Sequence, residues 1–208
     1  ELTAKTIREE SCVSNGYEHD ATVIYGDTDS VMVRFGTNDL PKAMEFGKQA
    51  AKFVSDRFLK PISLEFEKVY YPYLLISKKR YAGLLWTKPE KYDKMDAKGL
   101  ETVRRDNCLL VKRVVDTCLR GILIEKDVNA AMTYCKDTIR DLLRNRLDIS
   151  MLVITKALSK SEKDYKGKQA HVELNKKIEK RGDGTGYHLG DRIPYVIRSG
   201  VKGSLAYE

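Results

Sequence analysis

Apolar and polar positions follow two different periods along the 208 residues. In the first half the apolar runs are short. Residues 21–25 and 31–35 are β-branched and aromatic, and they flank Gly26-Asp27-Thr28-Asp29. Gly and Asp tolerate the backbone angles of a tight turn, so this stretch predicts a β-hairpin. Asp39 can cap a helix with Pro41 near its first turn. Ala43, Phe46, Ala50, Phe53 and Val54 then recur at helical spacing. Pro61 ends that region. Ile62, Leu64 and Phe66 alternate with Ser63, Glu65 and Glu67, which is the period of a strand. Runs 73–77 and 81–86 predict two more strands on either side of Lys78-Lys79-Arg80, and the polar stretch 87–98 reads as a loop.

The second half lengthens its period. Leu110, Val114, Cys118 (or Val115, Leu119) and Ile122 mark one helix face. Asp127 suits the cap of a second helix, whose stripe would be Val128, Ala131 or Met132, Cys135, Ile139 and Leu142 or Leu143. A third, short and heavily charged helix is predicted around 170–180. Gly182-Asp183-Gly184-Thr185-Gly186 reads as a loop. Residues 193–197 predict a strand that Pro194 confines to an edge or makes irregular. No internal repeat is visible, and the fold class these elements predict is α+β.

Composition adds a core and a charge. The chain is 42% hydrophobic and 33% charged, which excludes a disordered tail and a fibrous repeat. No apolar run approaches the roughly 18–20 residues of a membrane span. Nothing near Glu1 resembles a signal peptide, and a start on Glu rather than Met suggests a piece of something longer. The four cysteines are scattered without a C-x-x-C pair, and the three histidines are dispersed. Zinc-ribbon spacing is therefore absent and buried thiols are expected. The net charge is +8. Residues 1–99 hold 16 Lys and Arg against 15 Asp and Glu, and residues 100–208 hold 22 against 15. The excess sits almost wholly in the helical half. Within it, residues 156–181 carry nine basic and four acidic side chains, interleaved with Tyr165, Gln169 and His171. Such a stretch suits a phosphate-contacting surface, and equally a solvated one.

The candidate chemistry lies in Tyr25-Gly26-Asp27-Thr28-Asp29-Ser30. Side chains two apart in an extended chain point the same way, so Asp27 and Asp29 can aim two carboxylates at one point. Hard oxygen donors of this kind suit Mg²⁺, which binds through one or two carboxylates together with substrate phosphates. Gly26 would let the backbone turn and keep the approach open. A turn made of turn-forming residues is the plain alternative. An EF-hand lacks its glycine and terminal glutamate here. A glycosyltransferase with a D-x-D metal site would need a nucleotide-binding unit upstream, for which some twenty residues leave no room.

The longer run V-I-Y-G-D-T-D-S-V-M-V closely resembles the C motif of family B DNA polymerases. It is followed by L-E-F-E-K-V-Y-Y-P-Y-L-L-I-S-K-K-R-Y-A-G, then M-D-A-K-G-L-E-T-V-R-R-D, then R-L-D-I-S-M-L-V-I-T-K. This order resembles the eukaryotic replicative members of that family, from about residue 21 to the end, while residues 1–13 add little.

The resemblance implies an antiparallel palm sheet with the motif C hairpin and a packed helix in 1–98, and a mainly helical, incomplete thumb in 99–208. It implies a nuclear enzyme of DNA replication. Asp29 would be the principal carboxylate for two Mg²⁺ ions, with Asp27 its partner in a lesser metal role and Glu67 an auxiliary ligand. Tyr25, Gly26, Thr28 and Ser30 would shape the hairpin tip. Lys78, Lys79, Arg80 and Tyr81 match the K-K-R-Y motif that holds the primer end of the duplex. Lys98 and Gly99 match a primer contact at the palm–thumb junction, and Arg104 and Arg105 follow it. Partners would be primer–template DNA, deoxynucleoside triphosphates, and the accessory subunits and sliding clamp of the whole enzyme. A module that only binds duplex DNA, with an incidental acidic hairpin, is the alternative. The family's motif A aspartate and the fingers motif that grips the nucleotide do not occur in these residues. The 208 residues alone are therefore expected not to extend a primer. Mg²⁺-dependent extension by the purified piece would contradict this.

Overall fold

The computed structural model describes residues 2–16, 18–182 and 184–207. The chain forms two compact units, Glu1–Gly99 and Leu100–Glu208.

The first unit opens with a helix that the pattern did not predict, α1 (Leu2–Glu10). Its apolar positions are few, yet Ile7 is buried in a core with Ala21 and Val54, against Val23, Phe35, Phe53 and Leu64. The hairpin forms where it was expected. β1 (Thr22–Asp27) pairs antiparallel with β2 (Ser30–Arg34), and Asp27 faces Ser30, so the turn is Thr28-Asp29. α2 (Leu40–Ser55) follows, with the Asp39 carboxylate accepting from the Lys42 N–H at 3.4 Å and Met44, Ala50 and Val54 buried.

Residues 62–68 form no strand, contrary to the alternation of Ile62, Leu64 and Phe66. The reason is local. The backbone N–H of Leu64 donates to Ser55 Oγ at 2.8 Å, and its carbonyl accepts from the same hydroxyl at 3.2 Å. Groups that a neighbouring strand would take are held by the end of α2, while Leu64 packs into the core and Phe66 lies against Gly47.

Three strands then make an antiparallel sheet in the order β3-β4-β5, with β3 (Val69–Ser77), β4 (Arg80–Trp86) and β5 (Lys94–Lys98). β5 corrects the expectation of a loop over 87–98. Its sequence Lys-Met-Asp-Ala-Lys is too polar to read as a strand by composition, but a short edge strand with charged ends is how sheets protect an open edge. Ala82 to Leu85 fill the sheet's buried centre.

The second unit is mainly helical. α3 (Leu109–Arg120) runs into a π turn at Gly121–Glu125, and α4 (Val128–Leu143) is capped by Asp127, whose carboxylate accepts from the Ala130 N–H at 2.9 Å. A Cβ on Gly121 would touch that of Ala131, so two small residues let these helices approach closely. The expected stripe on α4 is largely exposed: Ala131 is buried, whereas Val128, Met132, Ile139, Leu142 and Leu143 face outward. β6 (Ile154–Ala157), which the pattern did not predict, pairs antiparallel with β7 (Arg192–Tyr195), and Pro194 sits on this two-stranded edge as expected. α5 (Ala170–Glu179) packs over them, with Leu158, Val172 and Ile193 as the core. Gly182 and the residues from Gly184 are in loop as read, and Asp183 lies outside the described residues. All four cysteines are free thiols; Cys108 is buried and the other three are half-buried. Among the described residues no helix is long and apolar enough to cross a membrane.

His171 on α5 is 1% exposed, and neither ring nitrogen has a hydrogen-bond partner among the described residues. Burial first, and the nearby Lys156 ammonium second, hold its pKa below the ordinary 6.5. The folded state therefore binds the proton more weakly than the unfolded chain, and stability complete above about pH 6.5 is lost as pH falls through the window between the two values. Chemical denaturation at about pH 7 and about pH 5.5 should show the second unit weakening at the lower pH. His171→Leu should remove most of that difference.

Candidate functional site

Two turns of the first unit meet. One is Thr28-Asp29 at the tip of the β1–β2 hairpin, and the other is Lys78-Lys79 between β3 and β4. The Tyr25 hydroxyl joins them: it accepts the Lys79 backbone N–H at 3.0 Å and donates toward Asp27 Oδ2 at 3.4 Å. The Lys79 ammonium stands 3.5 Å from Asp27 Oδ1. Two hydroxyls bind Asp27 further, Thr28 Oγ1 to its carboxylate at 3.4 Å and Ser30 Oγ to its carbonyl at 3.2 Å.

Four aromatic rings hold the two hairpins together from behind. Tyr25 meets Tyr81 edge-on at 5.8 Å between centroids. Tyr81 also contacts Tyr70 at 6.0 Å and Tyr73 at 5.6 Å, and Tyr70 stacks on Tyr73 at 5.5 Å. The Tyr73 hydroxyl donates to the Met32 sulfur on β2 at 2.9 Å. Such ring pairs contribute about 0.5–1.5 kcal/mol each beyond their burial. Tyr70 and Tyr73 share a face only because the strand register shifts between them, one extra residue restoring the side that alternation would have lost.

Asp96 completes the cluster, and no reading of the sequence singled it out. It is 8% exposed at the centre of β5. It accepts from the Tyr70 hydroxyl at 2.6 Å and pairs with Lys98 at 3.5 Å. Burial alone would raise its pKa, but the Tyr70 hydrogen bond and the Lys98 charge outweigh this and hold it below the ordinary 3.8. Burial pushes Tyr73 up to about 12 and, with the Asp96 hydrogen bond, takes Tyr70 higher still; burial raises Tyr81 as well. These phenols stay protonated at neutral pH, so the cluster donates hydrogen bonds without adding negative charge. The one available signal for Asp96 was the alternation of Met95 and Ala97 with Lys94, Asp96 and Lys98.

The remaining predicted residues divide clearly. Lys98 lies opposite Tyr81 across the sheet. Gly99 has φ +64°, and a Cβ there would collide with the Lys79 carbonyl, so glycine is required. Tyr25, Asp27, Lys79, Tyr81, Lys98 and Gly99 thus form one connected group, with Lys78 and Arg80 exposed on the same turn. Glu67 is exposed and pairs with Lys68 at 3.4 Å. Arg104 and Arg105 belong to the second unit. Gly26 needs no glycine conformation: its φ is not positive, and an added Cβ would make only ordinary contacts at 3.5 Å or more. The left-handed backbone falls on Thr28, at φ +37°. Asp29 is therefore in a turn rather than an extended chain, and its exposed carboxylate has no hydrogen bond or ion pair among the described residues.

A divalent cation needs hard oxygen donors. Asp27 and Asp29 are of the right type and Asp29 is open to a ligand. Among the described residues, however, no group of three or more acidic, His or Cys side chains could hold a metal. The donor chemistry fits, and at least one further ligand would have to come from elsewhere.

The model of DNA polymerase family B matches residues 1–208. The chain is 59% identical over 208 residues to the DNA polymerase delta catalytic subunit of Glycine max, covering 100% of this chain and 19% of the relative. It is 60% identical over 206 residues to that of Dictyostelium discoideum, covering 99% and 18%. With the Schizosaccharomyces pombe subunit it is 58% identical over 207 residues, covering 100% and 19%. The chain thus spans about a fifth of these relatives' length. The likeness also includes residues 1–20, which the motifs alone did not reach.

Tyr25→Phe keeps the ring contacts and deletes the shared hydroxyl. The expected cost is about 0.5–1.5 kcal/mol, that of one hydrogen bond. It should appear as faster amide exchange at Lys79, with the β3–β5 strands unchanged.

Proposed function

The chain belongs to DNA polymerase family B, and from that premise we propose that it supplies part of the catalytic subunit of a replicative DNA-directed DNA polymerase. The reaction is template-directed transfer of a nucleotide to a primer 3′-hydroxyl. Residues 1–98 would be the later part of the palm and 99–208 an incomplete thumb. The substrates would be primer–template DNA and deoxynucleoside triphosphates. The accessory subunits, the sliding clamp and a nuclear location belong to the same reading.

The observation that carries it is the joining of the acidic hairpin tip to the Lys79 turn through Tyr25. Phosphoryl transfer asks for clustered carboxylates beside cations that follow a phosphate backbone without reading bases. Asp29, with Asp27, would hold two Mg²⁺ ions together with a carboxylate that this chain does not bring. The chemistry such ions would supply there is activation of the primer hydroxyl and positive charge for the leaving pyrophosphate. Glu67 would be an auxiliary ligand once DNA and nucleotide are present.

The chain's own groups do the positioning. Tyr25 and Thr28 orient Asp27. Lys79 is the counter-ion of Asp27 in the free chain, and its ammonium can turn to a primer phosphate, because its backbone is held by Tyr25 on one side and closely backed by Gly99 on the other. Lys78, Arg80 and Tyr81 extend this edge, Lys98 adds a cation beside Tyr81, and Arg104 and Arg105, in the second unit, would be further primer-strand contacts.

Asp29→Asn, made in the full-length protein, should lower primer extension at least about 100-fold, the effect of losing several kcal/mol of metal-derived stabilisation. Duplex binding should persist. Undiminished synthesis would refute the assignment and favour a module that only binds DNA.

A further inference from the structure

Glycine at position 83 opens a path across the β3-β4-β5 sheet. Gly83 stands opposite Tyr73 on β3 and opposite Asp96 on β5. An added Cβ there would come to 3.0 Å from Tyr70 Cδ1 and 3.0 Å from the Pro72 carbonyl oxygen. The bare backbone lets the Tyr70 ring lie over β4. Its hydroxyl thereby reaches the far strand and donates to Asp96 Oδ2 at 2.6 Å. The other oxygen, Asp96 Oδ1, stands 3.5 Å from the Lys98 ammonium.

The two oxygens of one carboxylate thus hold two different neighbours of Tyr81. Tyr70 meets the Tyr81 ring at 6.0 Å between centroids, and Lys98 lies opposite Tyr81 in the β4–β5 register. The partners of the ion pair differ in freedom. The Asp96 side chain is 11% exposed and the Lys98 side chain 54%. A buried carboxylate pinned by a phenol hydroxyl is a fixed point, whereas a lysine stem has much rotamer freedom of its own. The Lys98 backbone has separate support, because the Lys79 carbonyl fills the space of a Cβ at Gly99. What Asp96 adds is a place for the ammonium.

We propose that Asp96 is a positioning residue for primer extension: it fixes the Lys98 ammonium, and through Tyr70 the Tyr81 ring, at the edge on which the primer end rests. The proposal rests on the polymerase reading above and deepens it. Asp96 is buried, so its action on a primer passes through Lys98 and Tyr70. By charge alone a carboxylate here opposes a phosphate backbone. Removing that charge should therefore spare affinity and cost rate, the mark of placement rather than of uniform binding.

The test uses the full-length protein and a labelled primer–template. Asp96→Asn keeps the shape and can still accept from Tyr70, but it drops the charge that holds Lys98. At saturating primer–template and nucleotide, incorporation of one nucleotide should slow about 3- to 5-fold, the scale of a partly exposed ion pair. Duplex affinity, followed by anisotropy, should stay within about twofold or tighten. Lys98→Met should itself be slowed, and adding Asp96→Asn to it should slow incorporation no further, since the group that Asp96 places is gone. An additive loss on the Lys98→Met background would mark a packing role and overturn the proposal. So would a loss of affinity with the saturated rate unchanged. Tyr70→Phe deletes the hydroxyl that pins the carboxylate and keeps the ring, and it serves alone if Asp96→Asn does not fold. It should reproduce part of the loss with the same dependence on Lys98; a full rate, or a loss undiminished beside Lys98→Met, would overturn the proposal. Asp29→Asn measured alongside separates the two readings. If it abolishes synthesis while the Asp96 and Lys98 losses add, only the placement by Asp96 fails; if it leaves synthesis intact, the polymerase reading fails and the proposal with it.

Discussion

The Tyr25 hydroxyl takes the Lys79 N–H at 3.0 Å and leans toward Asp27 at 3.4 Å, and the geometry of the candidate site depends on this shared oxygen. The β1–β2 hairpin alone is a short two-stranded pair, the kind of element that is marginal in water, whereas β3–β4 belongs to a three-stranded sheet. Joined through Tyr25, and braced by the rings of Tyr70, Tyr73 and Tyr81, they set a carboxylate and an ammonium at a fixed separation. The same rings reach the buried Asp96 and through it Lys98. Acidic and basic turns thus belong to one packed structure, though more than fifty residues separate them in sequence.

That structure was legible in part. The hairpin could be read because Val, Ile and Tyr flank a Gly-Asp-Thr-Asp run, and α2 because Asp39 and Pro41 mark its start. The acidic pair and K-K-R-Y were visible as motifs. Their contact was not, because it runs through one phenol hydroxyl and a bulged strand, and alternation would place Tyr70 and Tyr73 on opposite faces. Asp96 stayed hidden for another reason. Its strand, β5, is as polar as a loop, and only pairing to β4 makes it a strand. Residues 62–68 show the converse: the alternation was real, but Ser55 had taken the backbone groups a ladder needs. In α4 the periodicity was also real, yet small residues at Gly121 and Ala131 turned a different face inward.

Charge separates the two units in a way that fits a shared task. The first is nearly neutral in composition, and at its two turns cations stand beside carboxylates, Lys79 beside Asp27 and Lys98 beside Asp96. The second carries the excess, 22 Lys and Arg against 15 Asp and Glu. An edge that must hold both metal ions and a polyanion needs the first arrangement. A surface that follows a phosphate backbone without reading bases is served by the second.

The most direct measurement is a structure of the full-length protein bound to primer–template DNA, a non-reactive nucleotide and Mg²⁺. The account predicts a cation bound by Asp29 at about 2.0–2.1 Å, the distance Mg²⁺ demands, with the primer terminus resting on Lys79 and Tyr81. A cation and primer terminus bound elsewhere, with the hairpin tip left in solvent, would contradict it.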